Sequence, residues 1–159
     1  MSKTKRDIQL HLNERILEIQ HHIQAAYNLS RAIYDNQDLN IFTKEGYIEM
    51  IMSQILVHKW NPDMRNGPDA WEWDGTPTEY KSTQGFKGIQ FCGLNQDGID
   101  KFNNHNYLYH AEKDGVYIKK IHKYKMKDIQ EEMQRKFNAR ANNNKFQCTI
   151  GANYLKSLL

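Results

Sequence analysis

The sequence predicts an α/β protein, and three observations carry that expectation. Leu12, Ile16, Ile19, Ile23, Ala26 and Ile33 fall at alternating spacings of three and four, apart from a gap at Ser30, which is the period of an apolar helix face. Tyr47, Ile48, Ile51, Met52 and Ile55 follow the same rule over a second segment. Beyond them the pattern changes to strands joined by the turn dipeptides Asp74-Gly75 and Asp114-Gly115, the marks of two β-hairpins.

In chain order, Thr4 followed by Asp7 caps the first helix, and Thr43 opens the second. Ala70, Trp71, Glu72 and Trp73 alternate apolar with acidic, run into the first turn, and the chain resumes as a strand over residues 78–83. Residues 84–94 read as a glycine-punctuated strand or loop, and residues 95–104 as a short helix with Gly98 near its start. Residues 106–113 and 116–124 flank the second turn, with Tyr107, Tyr109, Tyr117 and Ile121 as its core-facing positions. No repeat or low-complexity linker interrupts the chain, and its three prolines lie within residues 61–77, so residues 1–159 form a single domain.

The first hairpin carries the chemistry. Glu79 lies ten positions after Asp69, and Lys81 two beyond it. Alternate strand residues share a face, so Glu79 and Lys81 point together while Tyr80 points away. If Asp69 at the far end of the hairpin pairs onto that face, two carboxylates and an ammonium converge. Two hard oxygen donors suit Mg²⁺, which keeps several waters, lowers the pKa of one of them and stabilises charge on a phosphate. Lys81 then has two open tasks. It is a general base if burial lowers its pKa, or a cation that orients water and neutralises developing charge. A surface hairpin with an ordinary Glu-x-Lys pair is the alternative. Glu49, on the second helix, reads as a solvated glutamate, with an approach to the site from behind as the other reading.

These residues resemble the core of the PD-(D/E)xK nuclease superfamily, and the rest of the chain resembles the PvuII-type restriction endonucleases. The likeness runs through His22-Ile23-Gln24, Asn40-Ile41-Phe42, Gly46, Asp69-Ala70, Glu79-x-Lys81-Ser82 and Gly85-Phe86. It continues through the second strand pair, a helix over residues 126–137 and the segment Asn142-Asn143-Asn144-Lys145. The resemblance implies a restriction-endonuclease-like mixed central sheet flanked by helices. An N-terminal helical dimerisation subdomain (1–40) precedes a catalytic and DNA-recognition core (41–159). It also implies a homodimeric, Mg²⁺-dependent type II enzyme that hydrolyses both strands of a palindromic double-stranded DNA site. Asp69 and Glu79 would be the metal ligands and Lys81 the third catalytic residue. The Leu12 to Ile33 seam would then be a dimer contact rather than a helix packed on its own core, because a palindrome asks for two-fold symmetric protein.

The chain also departs from that pattern. Lys87-Gly88-Ile89-Gln90-Phe91 stands where the relatives present histidines to the bases, which leaves Gln90 as a weaker base-reading candidate. Lys44 stands where an acidic residue approaches the minor groove. Asn142 and Asn143 match an asparagine pair that the relatives place in the major groove, and an Asn amide fits the N6 donor and N7 acceptor of adenine. Lys145 would pair with a phosphate. A run of asparagines also makes a plain turn.

Composition sets looser bounds. A formal net charge of +3 is too small to argue for nucleic acid by itself, so distribution matters more. Six lysines against one aspartate over residues 113–127 read either as a phosphate-facing surface or as a strand edge protected by charge. Cys92 and Cys148 make no CxxC and read as reduced, core or half-buried thiols. The seven histidines show no zinc spacing. No apolar run reaches a membrane span, so the expected setting is a soluble, cytoplasmic protein without a membrane partner. A restriction role adds a DNA methyltransferase acting on the same site. The alternatives are a homing or junction-resolving nuclease on the same catalytic core, and a non-catalytic DNA-binding protein on that scaffold.

Overall fold

The computed structural model describes residues 14–42, 46–63 and 67–159, with the side chains of residues 14–16 excepted. The cap at Thr4 and Asp7, the seam positions Leu12 and Ile16, the helix start at Thr43, and Lys44 lie outside what is described. The chain forms two compact units, residues 1–43 and 44–159.

In the first unit, α1 spans Glu14–Ile33. Ser30, the gap in the apolar seam, is buried, and its hydroxyl donates to the Tyr27 carbonyl at 2.8 Å. Of the described seam positions, Ile19 is 58% exposed, Ile23 48% and Ile33 62%.

The second unit is a mixed α/β fold. Helix α2 (Gly46–Leu56) leads into β1 (Lys59–Trp60), β2 (Ala70–Trp71), β3 (Pro77–Gln84), β4 (Ile89–Leu94) and α3 (Gln96–Asp100). Then come β5 (Tyr107–Asp114), β6 (Tyr117–Lys125), α4 (Met126–Asn138), β7 (Phe146–Ile150) and α5 (Ala152–Ser157). Five strands form one sheet in the order β1-β2-β3-β5-β6, antiparallel except for the parallel β3–β5 pair. Strands β4 and β7 form a separate antiparallel ribbon.

Both hairpins form where the Asp-Gly turns place them, and Gly75 and Gly115 take the left-handed φ values of +83° and +60° that the turns require. Central β5 is covered on both faces, so Leu108, Tyr109, His110 and Ala111 are all buried rather than alternating. One face packs Tyr80, Tyr109 and Ala111 against Ile48 and Met52 of α2. The other packs Leu108 and Tyr124 against Met126, Ile129 and Met133 of α4, with Ile89, Phe91, Cys148 and Ile150 of the ribbon. Each fully buried side chain of this size contributes about 1.5–3 kcal/mol.

Some expectations fail for identifiable reasons. Ile55 is exposed, and Leu56 packs in its place, because α2 ends there and Val57 turns the chain out. Tyr117, expected in the core, is 72% exposed at the start of the edge strand β6. Cys92 is exposed on the outer face of the ribbon, while Cys148 is buried. The lysine run divides as well: Lys113 is buried, and Lys123 and Lys125 pair in register with Tyr109 and Tyr107. Those two lysines therefore sit on the α2 side of the sheet, opposite Glu79 and Lys81. Their place on an exposed edge fits protection against strand pairing better than a phosphate surface beside the carboxylates.

Candidate functional site

The β2–β3 register builds the site. Ala70 pairs with Thr78, so Asp69, one residue earlier, falls opposite Glu79. The Asp69 carboxylate is fixed there by the Tyr80 amide, which donates to Oδ2 at 2.7 Å. Two residues along β3, Lys81 Nζ donates to Glu79 Oε1 at 2.5 Å and lies 4.8 Å from the centre of the Phe91 ring. Asp69, Glu79 and Lys81 are thus brought together as the spacing suggests.

A cleft of about 340 Å³ opens beside them, lined in part by Glu49, Tyr80, Lys81, Ser82, Thr83 and Gln90. Glu49, in the first turn of α2, is half-buried, and its charge reaches Asp69, Tyr80 and Lys81. This residue belongs to the site, against its reading as a solvated glutamate. His105 also comes close enough for the Glu79 charge to act on it, although burial dominates and lowers its pKa.

Electrostatics define what the group can do. Burial, then the charges of Glu79 and Glu49, push the Asp69 carboxyl well above the usual carboxylate range, against the pull of Lys81 and the Tyr80 amide. For Lys81, burial pulls the ammonium down, but Glu79, Asp69 and Glu49 outweigh it and the pKa is raised. Lys81 is therefore a cation here, which favours the electrostatic task over the general base. The charges of Glu79 and Glu49 both act on Asp69, with the Lys81 ammonium as the opposing charge, and a divalent cation would relieve that repulsion. Among the described residues no three or more His, Cys, Asp or Glu side chains form a group that could hold a metal ion. Mg²⁺ does not require one, because one or two carboxylates plus water and phosphate oxygens complete its shell. The donor set fits that ion.

A second network backs the site. The Tyr80 phenol and His58 Nδ1 share a hydrogen bond of 2.8 Å, and Tyr109 donates to Glu72 Oε1 at 2.9 Å. On the face of β3 that carries Glu79 and Lys81, Thr83 donates its only hydroxyl proton to the Gly85 carbonyl, so His110 Nε2 must be the donor in its 2.7 Å bond with Thr83. His110 Nδ1 is left buried without a partner, and burial followed by the His122 charge lowers the pKa to about 4.

The expected DNA-reading residues do not form one cluster. Gln90 lines the cleft beside Lys81 and accepts a hydrogen bond from Gln147 Nε2 at 2.6 Å. Asn142, Asn143 and Lys145 are exposed in the loop before β7, at the Leu94–Phe146 end of the ribbon, whereas Gln90 pairs with Thr149 at the other end. Asn142 Oδ1 is already engaged by Arg140 Nη2 and by the Asn144 amide, both at 3.2 Å, so this carboxamide holds a turn. Gln147 was not singled out from the sequence, since an isolated glutamine carries no spacing signal.

No protein-family model and no curated protein sequence matches the chain. Among the described residues no helix is long and apolar enough to cross a membrane.

Proposed function

We propose that this chain is a Mg²⁺-dependent, site-specific DNA endonuclease of the PvuII type within the PD-(D/E)xK superfamily. The observation that carries the reading is the meeting of Asp69, Glu79 and Lys81 on one face of the β2–β3 hairpin, beside an open cleft that Glu49 also lines.

Asp69 and Glu79 would hold the ion, with Glu49 adding negative charge behind them. When bound, Mg²⁺ supplies an activated water and charge stabilisation on the scissile phosphate. The chain's own groups do the positioning. The Tyr80 amide orients the Asp69 carboxylate, His58 fixes the Tyr80 ring, and Lys81 presents a permanent cation to the oxygen that gains charge. Gln90 lines the same cleft and would be the base-reading side chain nearest the metal site.

The exposed stripe Ile19, Ile23 and Ile33 is the natural surface for a homodimer that cuts both strands of a palindrome. A methyltransferase modifying the same site would be its companion. Incubation with plasmid DNA tests the activity: discrete fragments with Mg²⁺, and binding without cutting with Ca²⁺. A smear independent of metal contradicts site-specific, metal-dependent cleavage. Light scattering tests assembly, with a mass near twice the 18.9 kDa chain expected and charged residues at Ile19 and Ile23 shifting it to monomer.

A further inference from the structure

A second cleft, of about 640 Å³, lies where the end of α2 meets the turn of the first hairpin. Its walls include Gln54, His58, Lys59, Trp71, Glu72 and Trp73. None of these is among the catalytic groups. Its construction is unusual. Helix α2 ends on Val57, whose φ of +57° is a left-handed conformation that a β-branched residue rarely adopts and that glycine normally supplies. The His58 amide closes this end by donating to the Ser53 carbonyl at 2.8 Å. The turn sends Lys59 into register with Trp71, with its ammonium 5.8 Å from the Trp71 ring centre. Across the opening, Trp73 is 85% exposed, and the exposed Val57 side chain lies on the rim.

The lining selects a ligand class. A purely apolar ligand would strip water from Lys59 and Glu72 without replacing it, which is costly. A cation is disfavoured because the Lys59 ammonium already occupies the face of Trp71. What remains is a planar ligand with a π-face for Trp73, a polar edge for Gln54 and Glu72, and an anionic group for Lys59. We propose that this cleft binds one unpaired nucleotide of a DNA strand, with the base stacked on Trp73 and its phosphate against Lys59. Duplex bases are excluded, since their faces are covered by neighbouring pairs. Tyr80 links the cleft to the catalytic side, because its phenol bonds His58 in the cleft wall and its amide bonds Asp69.

Titration of a fluorescein-labelled eight-nucleotide oligothymidylate with the full chain in EDTA, read by fluorescence anisotropy and competed with thymidine monophosphate and with a blunt duplex, tests this. Base–aromatic stacking predicts that Trp73→Ala weakens oligonucleotide binding by about ten- to a hundredfold. Lys59→Gln should weaken it too and reduce its salt dependence. Both side chains lie on the surface, so the variants should fold, and circular dichroism checks this. Unchanged binding in both variants, absent binding of the oligonucleotide, or displacement of the oligonucleotide by the blunt duplex as effectively as by an unlabelled single strand would each overturn the assignment. The titration contains no metal, so its outcome is separable from plasmid cleavage: Trp73→Ala should still cut.

Discussion

The first hairpin and the loop over residues 142–145 are both polar segments that the sequence marks for function, and they are held in opposite ways. In the hairpin, beside the local pair of Glu79 and Lys81, Asp69, Tyr80 and Lys81 each have a partner on another element or across the register. Asp69 is held by the Tyr80 amide, Tyr80 by His58, and Lys81 lies over Phe91 of the ribbon. In the loop, the bonds are local: Asn142 serves Arg140 and Asn144, and Arg140 returns to the Asn144 carbonyl at 2.9 Å. A group fixed from a distance keeps its charge or lone pairs aimed at a ligand. A group fixed by its neighbours spends its hydrogen-bonding capacity on its own turn.

That contrast can be sharpened at Glu49, which reaches the hairpin from α2. Glu49→Gln should weaken the apparent Mg²⁺ affinity for cleavage by about ten- to a hundredfold, with activity recovering as Mg²⁺ is raised. A metal titration of cleavage with no shift would return Glu49 to the status of a solvated side chain.

The loop offers the next largest effect. Asn143→Ala should lower binding to a target duplex by about ten- to a hundredfold relative to a scrambled one, as expected for a side chain that reads a base. Asn142→Ala should cost about 1 kcal/mol of stability and weaken both duplexes alike, because its acceptor already serves the turn. If Asn142→Ala instead lost only target binding in a competition assay, the distinction between the two asparagines would fail.

The sequence carried the elements that depend on near neighbours. The Asp-Gly turns, the helical spacing and the two-residue alternation of Glu79 and Lys81 each reflect backbone geometry over a few positions. Glu49 was not readable in this way, because its approach depends on how α2 packs over β3, a contact between segments about thirty residues apart in the chain. The division of the lysines between edge and core depended on the β5–β6 register, and Tyr117 on which end of the edge strand stays uncovered. His110 and His122 lie twelve positions apart in the sequence, and the register makes them cross-strand partners.

That histidine pair gives the smallest effect, one on stability. His110 has a pKa near 4 in the folded chain against about 6.5 unfolded, so between these values the unfolded chain binds a proton that the folded one does not. Its contribution to stability is present above pH 6.5 and is lost as pH falls toward 4. Urea midpoints across this range should decline less in His110→Gln than in the unsubstituted chain. Parallel declines would assign the acid sensitivity to other groups.

The central claim is that Asp69, Glu79 and Lys81 form a site for phosphodiester hydrolysis. Lys81→Ala tests it most directly, because in the proposed nuclease the ammonium would act on the reacting phosphate without holding the metal. Under saturating Mg²⁺, the rate of plasmid linearisation should fall by at least about a hundredfold, while binding of the same DNA with Ca²⁺ is kept. Cleavage by Lys81→Ala at a rate near that of the unsubstituted chain would contradict the account.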